Sequence, residues 1–225
     1  MNKSAIEHEI ALQLGNSCAN EAFAWLSHLA NCQYQRTTQL LNVYFDTPNQ
    51  DLRRAKAALR LRFDTEAQRW IQTLKTAGRS ANGLSARQEW EVVLPLNADH
   101  TSGDSIGDQL PEWQFELFDS DAQAILQPLA QNLHAVFHTD FQRDIFDYRS
   151  GEDHFEFALD RGEVRTENDR HSTTKIKDLE IELIAGDLQR MQSLAEQVQA
   201  ALYATPQPLS KAARGYFLLA GSNQK

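Results

Sequence analysis

Cysteine is scarce: Cys18 and Cys32 are the only two in 225 residues, both in a helical-looking segment. Neither has partners at zinc-finger spacing, so no disulfide framework or structural zinc is expected, and a reducing cytoplasmic setting fits. Long apolar runs are lacking as well. No segment approaches about eighteen uninterrupted apolar residues, and Met1 to Glu7 has no apolar core, so neither a spanning helix nor a cleavable signal is expected. Positive charge is in deficit, with 22 Lys and Arg against 31 Asp and Glu and a net charge of -9. That balance excludes general nucleic-acid binding and leaves room for a local basic lining. Metal-binding histidine patterns are missing, because His134 and His138 fall in a strand-like run where they only share a face. Gly78 to Gly83 does not match a phosphate loop, and Ser85, Ser210 and Cys32 lack a base-and-orienter setting.

What remains is 41% hydrophobic and 24% charged, the composition of a folded protein with a buried core. Glu7 to Leu14 alternates, with Ile10, Leu12 and Leu14 on one side and Glu7, Glu9, Ala11 and Gln13 on the other, which predicts a first strand. Asn16 and Ser17 offer N-caps to a helix carrying Ala22, Phe23, Leu26 and Leu29, ending before Asn31. A second strand is expected from Thr37 to Phe45, stopped by Asp46-Thr47-Pro48-Asn49, with Asp51 to Ala55 as a short helical bridge. Strands from Ala58, over Arg69 to Lys75 and over Ala86 to Leu94 follow, joined by a hairpin through Asp64 to Gln68 and a longer turn from Gly78 to Gly83.

After a polar stretch from Asn97 to Leu110, Asp119 and Ser120 cap a helix through Leu129 or beyond. His134 to Tyr148, His154 to Asp160, Glu163 to Thr166 and Lys175 to Ile184 read as strands, with turns at Ser150 to Asp153 and at Asp160-Arg161-Gly162. Asp187 caps an amphipathic helix bearing Met191, Leu194, Val198 and Leu202, and a last helix covers Ser210 to Leu219. Seven or eight long strands with a few helices favour an α+β protein whose antiparallel sheet closes into a barrel, since closure removes exposed edges. Inward polar side chains would then line a tunnel.

Charge falls on that inward parity. Ala58-Leu59-Arg60-Leu61-Arg62-Phe63 sends Arg60 and Arg62 to one face, and Thr73/Lys75, Arg87/Glu89/Glu91 and Glu180/Glu182 repeat the pattern. Strands that gather both signs suggest a site for a polyanion and a metal. Glu180 and Glu182 point the same way, which two carboxylates tolerate poorly without a cation, and a hard divalent ion such as Mg²⁺ or Mn²⁺ is the natural partner.

Several of these stretches together resemble one family. Tyr44-Phe45-Asp46-Thr47-Pro48, Ala58-Leu59-Arg60-Leu61-Arg62, Thr73-Leu74-Lys75-Thr76-Ala77-Gly78, Arg87-Gln88-Glu89-Trp90-Glu91, Thr139-Asp140-Phe141-Gln142-Arg143, Ala158-Leu159-Asp160-Arg161-Gly162-Glu163-Val164, Leu179-Glu180-Ile181-Glu182-Leu183 and Leu209-Ser210-Lys211-Ala212-Ala213-Arg214-Gly215-Tyr216 are similar to the CYTH superfamily of triphosphate tunnel metalloenzymes, and most of all to its bacterial inorganic triphosphatase branch. The resemblance implies an eight-stranded antiparallel β-barrel with flanking α-helices, residues 1–225 forming a single tunnel domain without the additional C-terminal helical domain of some members.

It further implies hydrolysis of tripolyphosphate to pyrophosphate and phosphate with Mg²⁺ or Mn²⁺. Arg60, Arg62, Lys75, Arg87, Arg143, Lys211 and Arg214 would bind substrate; Glu7, Glu9, Glu89, Glu91, Asp160, Glu180 and Glu182 would hold or surround the metal; and Glu9, Glu180 and Glu182 would serve the catalytic step. The expected partner is a triphosphate-containing small molecule, with no nucleic acid or membrane, on a monomer or homodimer. Related alternatives are class IV adenylate cyclase, thiamine or nucleoside triphosphatase activity, and a weakened polyphosphate- or nucleotide-binding module. The family signature Glu-x-Glu-x-Lys is incomplete here: Glu9 to Gln13 keeps one glutamate, Glu7 to Ala11 keeps both, and neither register has the lysine. Because the registers differ by two, Glu7, Glu9, Ala11 and Gln13 share a face in both.

Overall fold

The computed structural model describes residues 5–15, 19–76, 78–81, 83–95, 110–166 and 173–222. The expected caps Asn16 and Ser17, Cys18 and the polar stretch 97–109 lie outside the described residues. The strands are β1 (Ala5–Gln13), β2 (Cys32–Asp46), β3 (Ala58–Asp64), β4 (Arg69–Lys75), β5 (Arg79–Ala81), β6 (Leu84–Val93), β7 (His134–Ser150), β8 (Asp153–Thr166), β9 (Thr173–Ala185) and β10 (Thr205–Pro206). The helices are α1 (Ala19–His28), α2 (Asp51–Arg54), α3 (Ser120–Leu126), α4 (Leu188–Leu202) and α5 (Lys211–Ser222).

Closure depends on β1, which pairs with β6 over its first residues and with β9 over its last, from Glu9 onward. The order β1, β9, β8, β7, β2, β3, β4, β6 thereby returns to β1 as an eight-stranded antiparallel barrel, the architecture the sequence predicts. The short β10 and β5 add to β1 and β6. Alternation decides what each face touches. Outward Ile10 and Leu12 of β1, with Phe155, Phe157, Leu179 and Ile181, are covered by Ala22 and Leu26 of α1 and by Met191, Leu194 and Val198 of α4. On the other side Leu59, Leu61 and Phe63 of β3, with Leu74 and Trp90, pack against Leu52, Phe118, Ala122 and Leu126. A third cluster seats α5, where Tyr216 meets Phe137, Tyr44 and Phe141. Helix starts follow the expected chemistry: Asp119 accepts from the backbone N–H groups of Asp121 and Ala122, and Asp187 from that of Gln189.

Several boundaries differ from the sequence reading for identifiable reasons. α3 stops at Leu126 rather than Leu129 because Pro128 has no N–H to continue it. β2 begins at Cys32 rather than Thr37, since its exposed start, with a bulge between Tyr34 and Arg36, still pairs with the far end of β7. The turn read between Gly78 and Gly83 contains β5. The turn read at Asp160-Arg161-Gly162 is not one: β8 runs unbroken, with Gly162 paired to Phe141 and to Ile176. Gly162 serves a close approach of backbones, because a Cβ there would stand 2.1 Å from the Asp140 carbonyl oxygen and 2.5 Å from Phe141 Cα. Gly162→Ala is therefore expected to destabilise the fold by about 2 kcal/mol in urea denaturation, whereas an unchanged midpoint would mean that β7 yields without cost.

Candidate active site

Inward side chains of the barrel and the inner face of α5 enclose a cavity of about 1030 Å³. β3 contributes Arg60 and Arg62; β4, Lys75; β6, Arg87, Glu89 and Glu91; β7, Arg143; β9, Glu180 and Glu182; and α5, Lys211 and Arg214. β1 contributes Glu7, Glu9 and Ala11, while Gln13 is exposed and outside the lining. The register that keeps both glutamates is thus the one facing the cavity, and Ala11 stands where the family signature has lysine. Asp160 is fully buried and outside the cavity lining, where it pairs with Arg143 and Lys211.

Most of these charges are paired across strands. Lys75 Nζ lies 2.9 Å from Glu7 Oε2 and 3.0 Å from Glu89 Oε2. Arg87 reaches Glu7 at 3.1 Å and Glu9 at 3.3 Å. Arg143 forms a two-pronged pair with Asp160, both contacts at 2.7 Å, and meets Glu180 at 2.5 Å. Lys211 Nζ reaches Asp160 at 2.7 Å and also contacts Glu180, while Arg214 pairs with Asp178. Arg60 is looser, 4.0 Å from Glu89. Arg62 forms no ion pair among the described residues; its Nε donates to Asn42 Oδ1 at 3.0 Å.

Ionisation follows this partnering. Burial opposes the charge of Glu7, but Lys75 and Arg87 outweigh it and hold the carboxyl at about 2. Glu180 is likewise buried and is held well below the carboxylate range by Lys211 and Arg143. Glu91 moves down because Arg62 and Arg60 prevail over burial. Glu9 instead rises to about 7, through burial and the neighbouring Glu180, against Arg87. Glu182 rises to about 8 through burial and through Glu7 and Glu156, and burial also raises Glu156. Burial and then Arg60 lower Arg62 to about 10.

Glu156 of β8 is a lining residue that the sequence reading missed. It is paired with Glu182, which is paired in turn with Glu9, so three carboxylates stand in a row across β8, β9 and β1. The available signal was parity with Asp160 within the strand read over His154 to Asp160. Also missed were Asp178, the counter-ion of Arg214, and Tyr44, whose buried phenol is brought below its usual value by Arg60.

Because the folded pKa of Glu182 lies above its ordinary 4.5, its contribution to stability is full below that value and is lost as pH rises through about 8. Partial exposure moderates the effect. In metal-free buffer Glu182→Gln is expected to match the wild-type thermal midpoint near about pH 4 and to exceed it near about pH 9. Thermal denaturation at the two pH values checks this, and a constant difference between the proteins would rule it out.

A family model described as the CYTH domain matches residues 16–216. The inorganic triphosphatase of Haemophilus influenzae is 29% identical over 222 residues, which cover 99% of this chain and 54% of that protein. The chain thus spans about half the length of this curated relative. Among solved structures, a Hippeastrum protein named for adenylyl cyclase and described as having a dominant triphosphatase activity superposes with a TM-score of 0.63 at 19% identity, covering 96% of each chain. A Bacillus halodurans protein named for adenylate cyclase gives a TM-score of 0.56 at 18% identity, covering 92% of this chain and 95% of that one. These structures share the fold. With the family match extending over most of the barrel and into α5, the chain belongs to the CYTH domain family.

Proposed function

We propose that the chain hydrolyses inorganic triphosphate to pyrophosphate and phosphate with a divalent metal ion, Mg²⁺ or Mn²⁺. The observation that carries this reading is an imbalance within the cavity. Arg62 faces it without an ion pair, and Glu156 and Glu182 face it without a hydrogen bond or ion pair among the described residues. A metal triphosphate supplies the anion that one wall lacks and the cation that the other lacks.

The donor set fits such an ion. Glu9, Glu182 and Glu156 offer carboxylate oxygens in one cross-strand row, and hard divalent ions take oxygen ligands. Among the described residues no three His, Cys, Asp or Glu side chains are placed to hold an ion by themselves, so substrate and water oxygens would have to complete its shell. When bound, the ion supplies charge neutralisation at the phosphates and acidifies a water.

Arg60 and Arg62 hold phosphate oxygens, and Lys75, Arg87, Arg143 and Lys211 add charge from walls where their carboxylate partners fix them. We assign Glu182 to receive the proton of the attacking water, because Glu180 is committed to Lys211 and Arg143. Attack at a terminal phosphorus forms a P–O bond and breaks the bridging one; pyrophosphate leaves, its growing charge met by the cations. Asp160 and Asp178 act behind these groups as orienting residues. The name of the Haemophilus influenzae relative supports tripolyphosphate as substrate. A second reading, a module that binds polyphosphate with little turnover, is favoured by Ala11 in the lining.

Phosphate release from tripolyphosphate is expected with Mg²⁺ or Mn²⁺ and is expected to stop with chelator. Arg62→Ala should lower kcat/KM by about 100-fold or more, and Glu182→Ala should act mainly on kcat. Calorimetric binding of triphosphate without any release above the Arg62→Ala background would select the binding module instead.

A further inference from the structure

Arg62 differs in what holds it from most of the cations that the barrel strands and α5 turn inward. Lys75, Arg87, Arg143, Lys211 and Arg214 are each gripped by at least one carboxylate. The hydrogen-bond partner of Arg62 is a neutral amide, and the Glu91 carboxylate acts on it only through space, without an ion pair between them. Asn42 is 1% exposed on β2 and stands directly across from Arg62 in the β2–β3 pairing. Its Nδ2 donates to the carbonyl of Thr139 at 3.3 Å and to that of Leu40 at 3.4 Å, which fixes the amide so that Oδ1 is turned to Arg62 Nε at 3.0 Å. With both donors committed to backbone carbonyls, the amide has one sense, and its oxygen can only accept.

We infer that Asn42 is a positioning residue for Arg62: it anchors the guanidinium through Nε, leaves the two terminal nitrogens for an anion, and does so without cancelling the charge. A carboxylate at the same place would orient Arg62 equally well but would neutralise it, as Asp160 does for Arg143. An apolar residue would leave Nε buried without an acceptor and let the side chain choose among rotamers. The inference rests on reading the cavity as a triphosphate site, and it makes the neutrality of Asn42 the feature that keeps the β3 wall cationic.

The test is a double-mutant cycle on tripolyphosphate affinity, measured by calorimetry with the purified 225-residue chain. Asn42→Ala is expected to weaken binding by about 10-fold in the wild-type background and by less than about 2-fold in the Arg62→Ala background, since the residue acts through Arg62. Asn42→Asp, which preserves the acceptor but adds a negative charge, is expected to weaken binding at least as much as Asn42→Ala. Equal effects of Asn42→Ala in both backgrounds, or full affinity in Asn42→Asp, would overturn the inference. A ligand-free readout separates this from the functional reading: the Arg62 Nε–H signal in ¹⁵N NMR, assigned by its absence in Arg62→Lys, should be protected from solvent exchange in the wild type and unprotected in Asn42→Ala. Wild-type protein that fails to bind tripolyphosphate removes the proposed function, while an Nε–H signal unchanged in Asn42→Ala removes the role of Asn42.

Discussion

A charge turned into a β-barrel has little water to fall back on, and the rest of this structure follows from how such charges are matched. The two-residue period of a strand places Arg60 with Arg62 and Glu180 with Glu182 on the inner face, so each strand brings like charges together. Relief has to come from other strands. Glu7 of β1 is met by Lys75 of β4 and Arg87 of β6, while Glu180 of β9 is met by Arg143 of β7 and Lys211 of α5. Buried ion pairs return little net stability once desolvation is counted. The apolar layers outside the barrel, under α1 and α4 on one side and α2 and α3 on the other, hold the strands in place; the inner pairs set which way the charges point.

Matching is incomplete in a directional way. In the closed strand order β3 lies across the barrel from β9. Arg62, which forms no ion pair among the described residues, is on β3; Glu182 is on β9 and Glu156 is beside it on β8. Their pKa values move as unmet charges should: Arg62 falls to about 10 through burial and Arg60, and Glu182 rises to about 8 through burial and its neighbouring carboxylates. A dipolar arrangement of this kind is what the proposed metal triphosphate would meet.

Much of this was legible from the chain alone, because parity is a local property. Arg60, Arg62, Lys75, Arg87, Glu89, Glu91, Glu180 and Glu182 could be assigned to one face without knowing which strands adjoin. The first strand was legible in parity but not in register, since a shift of two leaves every side chain on its own face; only pairing of β1 with β6 and β9 distinguishes Glu7 and Glu9 from Gln13. Gly162 misled because a glycine needed for close backbone contact looks like a glycine needed for a turn. Asn42 gave no sequence signal, since its meaning lies in Arg62, Leu40 and Thr139, which β2, β3 and β7 bring together.

The same logic bears on Ala11, where the family signature has lysine. Ala11 is paired with Glu180 in the β1–β9 ladder, so a lysine there would stand beside that carboxylate. Glu180 is not left bare by the alanine: Lys211 reaches it from α5 and Arg143 from β7. Absence of the lysine therefore removes one positive charge from the lining without stranding a buried anion. The fold has no stranded Glu180 to repair at this position, and on the proposed reading a triphosphate would meet one cation fewer on the β1 wall. On that proposed reading Arg62, hydrogen-bonded to a neutral partner, carries a larger share of the attraction.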